Sequence, residues 1–160
     1  MLIVLQTTAR LALIGAMLVV APIRYVAAAE TYCPALTQIA ALVDAKERFA
    51  SIIGEPREGN YLGTKLPLPG WADCAFYGRR TYTCDSQPLQ TVDDAERAFA
   101  RTLDEVKNCL RDSWSEEPSR ASPGYAVLHH ARPAASITIN TDRTEKNEHV
   151  VRLILFLRGQ

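Results

Sequence analysis

Residues 71–85, WADCAFYGRRTYTCD, determine how the chain is expected to fold. Two short alternating runs flank Gly78-Arg79-Arg80, a loop of the length that joins two antiparallel strands. Pairing Tyr77 with Thr81 across this loop places Cys74 directly opposite Cys84. The stretch therefore predicts a hairpin of strands 71–77 and 81–85, whose inward face carries Cys74, Phe76, Tyr82 and Cys84.

The chain contains four cysteines, Cys33, Cys74, Cys84 and Cys109. An even number of cysteines is typical of disulfides in an exported protein, and four cysteines allow three pairings. The hairpin favours Cys74–Cys84, which leaves Cys33–Cys109 between the two predicted helices. The spacings contain no C-x₂-C pair, so a zinc site and a redox dithiol are both disfavoured. We therefore predict two structural disulfides, Cys74–Cys84 and Cys33–Cys109.

Apolar periodicity predicts one helix on each side of the hairpin. The first helix, 34–53, has Pro34 in its first turn and Gly54 after its last residue, as helix boundaries favour. The second helix, 92–113, repeats apolar residues three to four positions apart and follows a capping-box pattern of Thr91 and Asp94.

The remaining segments predict strands separated by polar connections. Residues 61–66 allow a short strand, 115–124 form a polar linker, and 141–148 form a charged turn. Strands are expected at 125–130, 136–140 and 149–158. The last strand is apolar on both faces, which favours a central strand covered on both sides over an edge strand that presents a patch.

These elements together predict an α+β fold. An antiparallel sheet carries two helices packed on one face, in the order helix–strands–helix–strands, with two disulfides. The order suits either a duplicated unit or a single layered domain, and no repeat of individual residues is present. In outline it is similar to secreted inhibitors built from tandem helix-plus-sheet halves.

The N-terminus predicts export. The uncharged run LALIGAMLVVA (11–21) follows Arg10, and Ala27-Ala28-Ala29 precedes Glu30. A basic flank, an apolar run and small residues at a cleavage site are typical of a signal peptide. The uncharged stretch of residues 11–23 is shorter than the roughly 20 residues that a membrane-spanning helix needs. We therefore predict a cleavable leader at 1–29, a single domain at 30–160 and a periplasmic or extracellular protein, while an uncleaved anchor stays an alternative.

Composition excludes several classes of protein. The 160 residues are 48% hydrophobic and 22% charged, which is unlike a disordered chain or a protein with several membrane spans. Lys and Arg together number 18, as do Asp and Glu, so the net charge is zero. A chain without excess positive charge is a poor candidate for binding nucleic acid.

No catalytic signature is present in the sequence. It contains no G-x-S-x-G elbow, no P-loop and no dinucleotide-binding fingerprint. His129 and His130 are neighbours on a predicted strand, so they point to opposite faces and cannot bind one metal ion together. With all cysteines paired, no thiol remains as a nucleophile. We therefore assign no catalytic, cofactor-binding or metal-binding residue and favour a binding protein over an enzyme.

Three residues near the hairpin are candidates for contact with a partner. Arg79 and Arg80 form a projecting cationic loop that can bind a carboxylate or phosphate, although such residues more often only keep a loop tip solvated. Trp71 is of a residue type enriched at binding hot spots, and it also suits a half-buried core. The sequence thus predicts a non-catalytic module of inhibitor, immunity or accessory type that binds another envelope or secreted protein. A small-ligand or metal carrier and a small envelope hydrolase are the alternatives.

Overall fold

The computed structural model describes residues 24–132 and 135–158. Most of the predicted leader, residues 1–23, lies outside this part of the chain. The first half contains α1 (Arg24–Ala41), a 3₁₀ turn (Arg48–Ser51), β1 (Ile53–Pro56), β2 (Tyr61–Thr64), β3 (Asp73–Tyr77) and β4 (Thr81–Asp85). The second half contains α2 (Val92–Cys109), β5 (Trp114–Glu116), a 3₁₀ turn (Pro118–Arg120), β6 (Tyr125–His130), β7 (Ala135–Arg143) and β8 (His149–Leu157).

All eight strands form one antiparallel sheet in the order β1-β2-β3-β4-β8-β7-β6-β5. Each half is thus a helix followed by four consecutive strands that pair with their neighbours in sequence. The last strands of the two halves, β4 and β8, pair with each other at the centre of the sheet. This arrangement confirms the predicted α+β class and the order helix–strands–helix–strands.

The predicted hairpin and its register are confirmed. Tyr77 pairs with Thr81, and Cys74 pairs with Cys84 and forms a disulfide with it. Gly78 opens the loop with a φ of 59°, in the left-handed region that favours glycine. The second predicted disulfide, Cys33–Cys109, joins α1 to the end of α2.

The core lies between the helices and one face of the sheet. Phe76 on β3 is fully buried, and its ring lies 5.3 Å from that of Phe49 and 5.2 Å from that of Tyr82. The helices contribute apolar residues spaced three or four apart, as expected for packing on a sheet. These are Leu36, Ile39 and Ala40 from α1 and Ala95, Phe99 and Val106 from α2.

The prediction for the first helix is wrong at both ends. Helix α1 begins at Arg24, upstream of the predicted cleavage site after Ala29, and ends at Ala41 instead of residue 53. Pro34 consequently lies inside the helix. Val43 and Phe49 are six positions apart, a step that does not return to the same helix face, yet both are buried. The chain buries both of them by turning after Ala41, and Ile53 joins strand β1.

The second helix and the segment after it also differ from expectation. The cap predicted at Thr91 is confirmed, since its Oγ1 accepts a hydrogen bond from the Asp94 N–H at 3.1 Å. The helix ends at Cys109 rather than at 113, because Trp114 begins a strand and is buried in the core. The predicted linker 115–124 instead contains the rest of β5 and a 3₁₀ turn.

Strand β7 extends into the predicted charged turn, whereas β8 begins at His149 as predicted. Strand β7 continues to Arg143, which pairs with His149, and the Asp142 side chain makes a hydrogen-bonded ion pair with Arg152 of β8. Strand β8 is central, so the edge-strand alternative is wrong. The prediction that this strand is covered on both faces is also wrong at the end of β8, where Phe156 remains 42% exposed.

Candidate functional site

Three of the large exposed hydrophobic side chains lie in one row across the sheet. We call the sheet face opposite the helices the open face. Tyr61, Tyr77 and Phe156 lie there and are 45%, 52% and 42% exposed. Tyr61 pairs with Tyr77, which pairs with Thr81, which in turn pairs with Phe156. The strand register therefore places these three residues, which we call the aromatic row, on one surface.

Contacts within the aromatic row restrict its side chains. The rings of Tyr61 and Tyr77 meet edge to face, with their centroids 5.5 Å apart. The guanidinium carbon of Arg80 lies 5.8 Å from the centre of the Phe156 ring, at the distance of a cation–π contact. Because these contacts already restrict the rings, a partner that binds them causes little further loss of side-chain conformational entropy.

A groove of about 690 Å³ runs beside the aromatic row. The next row across the sheet has small side chains, with Gly63 paired to Ala75 and Ala75 paired to Thr83. Tyr61 and Tyr77 line the groove together with residues of the β7–β8 turn, Thr144, Glu145, Lys146 and Glu148. The open face is therefore concave at this position.

The charged residues at the base of the groove are paired with one another. Arg152 makes two hydrogen bonds to Asp85, from Nε to Oδ1 at 2.6 Å and from Nη2 to Oδ2 at 2.9 Å, and a third bond to Asp142. The hydrogen bonds that Asp85 accepts from the guanidinium group raise the pKa of Arg152 above its ordinary value. Asp73 lies opposite Asp85 in the sheet, and Arg57 neutralises it at 2.8 Å.

A second polar cluster lies at the other end of the open face. His129 Nε2 contacts the carboxylate of Glu117, and Arg158 Nη2 lies 2.8 Å from His129 Nδ1. Arginine only donates hydrogen bonds, so Nδ1 is the acceptor and the neutral ring carries its proton on Nε2. That proton is donated to Glu117, which lowers the pKa of the Glu117 carboxyl below its ordinary value of 4.5.

Glu117 is expected to make stability fall in acid. Because its pKa is lower in the folded chain, its contribution is complete above about pH 4.5 and is lost as the pH falls through the lower, folded value. Glu117→Gln should therefore reduce the loss of unfolding free energy between pH 5 and pH 3. Urea unfolding at each pH measures this loss. Glu145→Gln, which removes an exposed acid of the β7–β8 turn, is the matched control, and equal pH dependence in both variants would contradict the assignment.

The structure separates His130 from His129. His130 lies on the opposite face, where its ring packs on that of Trp114 at 5.0 Å and a cavity of about 410 Å³ opens beside it. Ser113 and Asp44 line the same cavity. However, Nδ1 of His130 contacts the Arg132 carbonyl at 3.2 Å, and Nε2 faces Asp44 at 3.8 Å. Neither ring nitrogen is thus directed to Ser113, so the three residues do not form a catalytic triad.

The three residues expected to contact a partner lie in different environments. Trp71 is half-buried, and its ring stacks on that of Tyr32 with centroids 6.5 Å apart. Arg79 is exposed at the β3–β4 loop. Arg80 does not project from the loop, because its Nη2 donates a hydrogen bond to the Leu157 carbonyl at 2.8 Å.

Two kinds of feature are absent from the described part of the chain. Within residues 24–132 and 135–158, no three His, Cys, Asp or Glu side chains are grouped so that they could hold a metal ion. No helix in this part of the chain is long and apolar enough to cross a membrane.

Comparison with known proteins assigns no family. No family model, no curated protein and no solved structure matches this chain.

Proposed function

We propose that this chain is an exported, non-catalytic protein-binding module of inhibitor, immunity or accessory type. Its partner is a folded envelope or secreted protein that binds the open face. The observation that carries the proposal is the aromatic row, in which Tyr61, Tyr77 and Phe156 are exposed side by side. Tyrosine is enriched at binding hot spots, and an uncovered aromatic surface of this kind is typical of an interface.

The charges around the groove favour a basic partner surface. The groove is lined by five acidic residues, Glu58, Asp73, Asp85, Glu145 and Glu148, and by three basic residues, Arg57, Lys146 and Arg152. Because Asp73 and Asp85 are already paired with arginines, the excess negative charge lies at the rim. Rim charges steer association and select partners, so we expect Lys or Arg around the apolar centre of the partner's surface.

Two features support export. The segment 1–29 has the sequence pattern of a signal peptide. Both disulfides lie in the part of the chain after the proposed cleavage site, and disulfides persist in oxidising compartments.

Mass spectrometry of the intact protein, purified from its own host without reductant, tests export. We expect the mass of a chain that begins at Glu30 and is four hydrogen atoms lighter than the fully reduced chain.

Site-specific crosslinking in the organism that encodes the chain tests the proposal. A photoreactive phenylalanine analogue at Tyr77 should give one discrete adduct with a second exported protein, identified by mass spectrometry. The same analogue at Arg101, which is exposed on α2, is the matched control and should give no such adduct. If the adduct forms from position 101 and not from position 77, the partner binds the helical face and the proposed binding surface is wrong.

A further inference from the structure

A cavity of about 390 Å³ lies at the end of the sheet that carries the β3–β4 loop. It is formed by four parts of the chain: the turn at 47–50, Ile53 of β1, the loop residues Arg79 and Arg80, and Leu157 at the end of β8. This volume lies within the range of about 300–1,000 Å³ typical of sites for small ligands. The cavity is distinct from the groove on the open face, with which it shares no lining residue.

Part of the cavity lining is apolar and firmly held. Phe49 and Leu157 each line it and are 1% exposed, and Ile53 lines it beside them. Phe49 packs on Phe76, and Leu157 belongs to the central strand β8. Because Phe49 and Leu157 have almost no free surface, the apolar surface open to a ligand comes mainly from the half-buried Ile53 and the exposed Ala50.

The rest of the lining is strongly cationic. Arg48, Arg79 and Arg80 all line the cavity, against one acidic residue, Glu47. Across residues 24–132 and 135–158, none of these three arginines forms a salt bridge with a carboxylate. Arginines that gather around one cavity without a counter-charge are typical of a site that binds an anion.

One of the arginines, Arg80, is held by the backbone around it, and a second, Arg48, has an unusual backbone conformation. The Leu157 N–H donates to the Arg80 carbonyl at 2.9 Å, and the Arg80 side chain returns a hydrogen bond to the Leu157 carbonyl at 2.8 Å. This second bond uses one N–H of the guanidinium group and leaves the others for a ligand. Arg48 has a φ of 50°, a conformation that costs energy for any residue other than glycine and that recurs at ligand sites.

We propose that this cavity binds a small carboxylic acid with a compact apolar body. The carboxylate pairs with the guanidinium groups of Arg48 and Arg79, and the apolar body packs against Ile53 and Ala50, next to the buried Phe49 and Leu157. The class of ligand follows from the apolar part and the arginine-rich part of the lining. The arginines favour an anion, and a bare inorganic anion leaves the apolar part without a contact. The site is independent of the proposed function, because a protein can occupy the open face whether or not this cavity is filled.

Titration with N-acetyl-L-leucine, followed by the backbone amide NMR signals of the full chain, tests this site. We expect saturable shifts centred on Phe49 and Leu157, with a Kd of about 1 mM for an acid of this size. The uncharged N-acetyl-L-leucinamide and inorganic phosphate should each bind at least about tenfold more weakly, because each lacks one half of the interaction.

Two variants locate the binding group. Arg79→Gln replaces an exposed loop residue and should weaken N-acetyl-L-leucine binding about tenfold, the loss expected for one charge-assisted hydrogen bond. Arg101→Gln on α2 is the control and should leave the Kd unchanged.

Equal binding of the acid and its amide would overturn the role of the arginines. Phosphate binding as tight as that of the acid would overturn the apolar part of the proposal, and shifts that avoid Phe49 and Leu157 would overturn the location.

Discussion

Replacing both cysteines of the Cys33–Cys109 disulfide with alanine is expected to lower the free energy of unfolding by about 4.5 kcal/mol. The two cysteines are 76 positions apart, so the bond removes a large part of the freedom of the unfolded chain. Cys74 and Cys84 are ten positions apart. By the same chain-entropy relation, replacing both of them with alanine costs about 3 kcal/mol.

Urea unfolding of the two double variants measures the difference. A domain of this size is typically stable by only about 5–15 kcal/mol, so loss of Cys33–Cys109 removes roughly a third or more of that stability. Wild-type protein unfolded with and without reductant supplies the control for both bonds together. Equal losses for the two variants, or a larger loss for Cys74–Cys84, would contradict an effect set by loop length.

The hairpin and both disulfides could be predicted because their determinants are local. Strand alternation and the length of the Gly78-Arg79-Arg80 loop fix the register, which then places Cys74 opposite Cys84. Pairing those two leaves one partner for Cys33. Helix α2 was equally accessible to prediction, since its cap and its apolar period lie within a single segment.

Two short strands, β1 and β5, do not follow from the sequence, whereas β2 lies within the predicted strand 61–66. Ile53 is predicted in a helix, but it pairs with Thr64, and the Lys65 N–H donates to the Ile52 carbonyl. Residues 115 and 116 are predicted in a linker, but they continue the strand that begins at Trp114 and pairs with β6. In both places tertiary pairing overrides a weak local preference, and a three- or four-residue strand has too short a pattern to indicate that pairing.

The candidate site was the least predictable part. Tyr61, Tyr77 and Phe156 come from three strands, and only the register across β2, β3, β4 and β8 brings them together. The one available signal, the apolar second face of the last strand, includes Phe156, but it favours a strand covered on both faces rather than an exposed aromatic side chain. Arg80 was expected to project from its loop, but the hydrogen bond to Leu157 folds it back, a contact between residues far apart in the chain.

The paired charges of the open face explain how an uncovered sheet face carries aromatic residues beside acids. Asp85 and Asp142 share Arg152, and Asp73 pairs with the exposed Arg57, so each of these acids has an opposite charge in contact. A partner that covers them therefore does not bury an isolated charge, which would be costly. Binding energy is expected to come from the aromatic row, and selectivity from the acidic rim.

The double substitution Tyr77→Ala with Phe156→Ala is expected to weaken binding to the crosslinked partner about 1,000-fold. Each side chain is a candidate hot spot worth about 2 kcal/mol, and together they remove the apolar centre of the interface. Both are exposed, so the melting temperature should change little. Val92→Ala is the matched control, because Val92 is 51% exposed on α2, away from the open face.

Calorimetric titration with the purified partner measures the affinities of the wild type, the double variant and Val92→Ala. If Val92→Ala weakens binding as much as the double variant does, or if the double variant binds like the wild type, the aromatic row is not the binding surface.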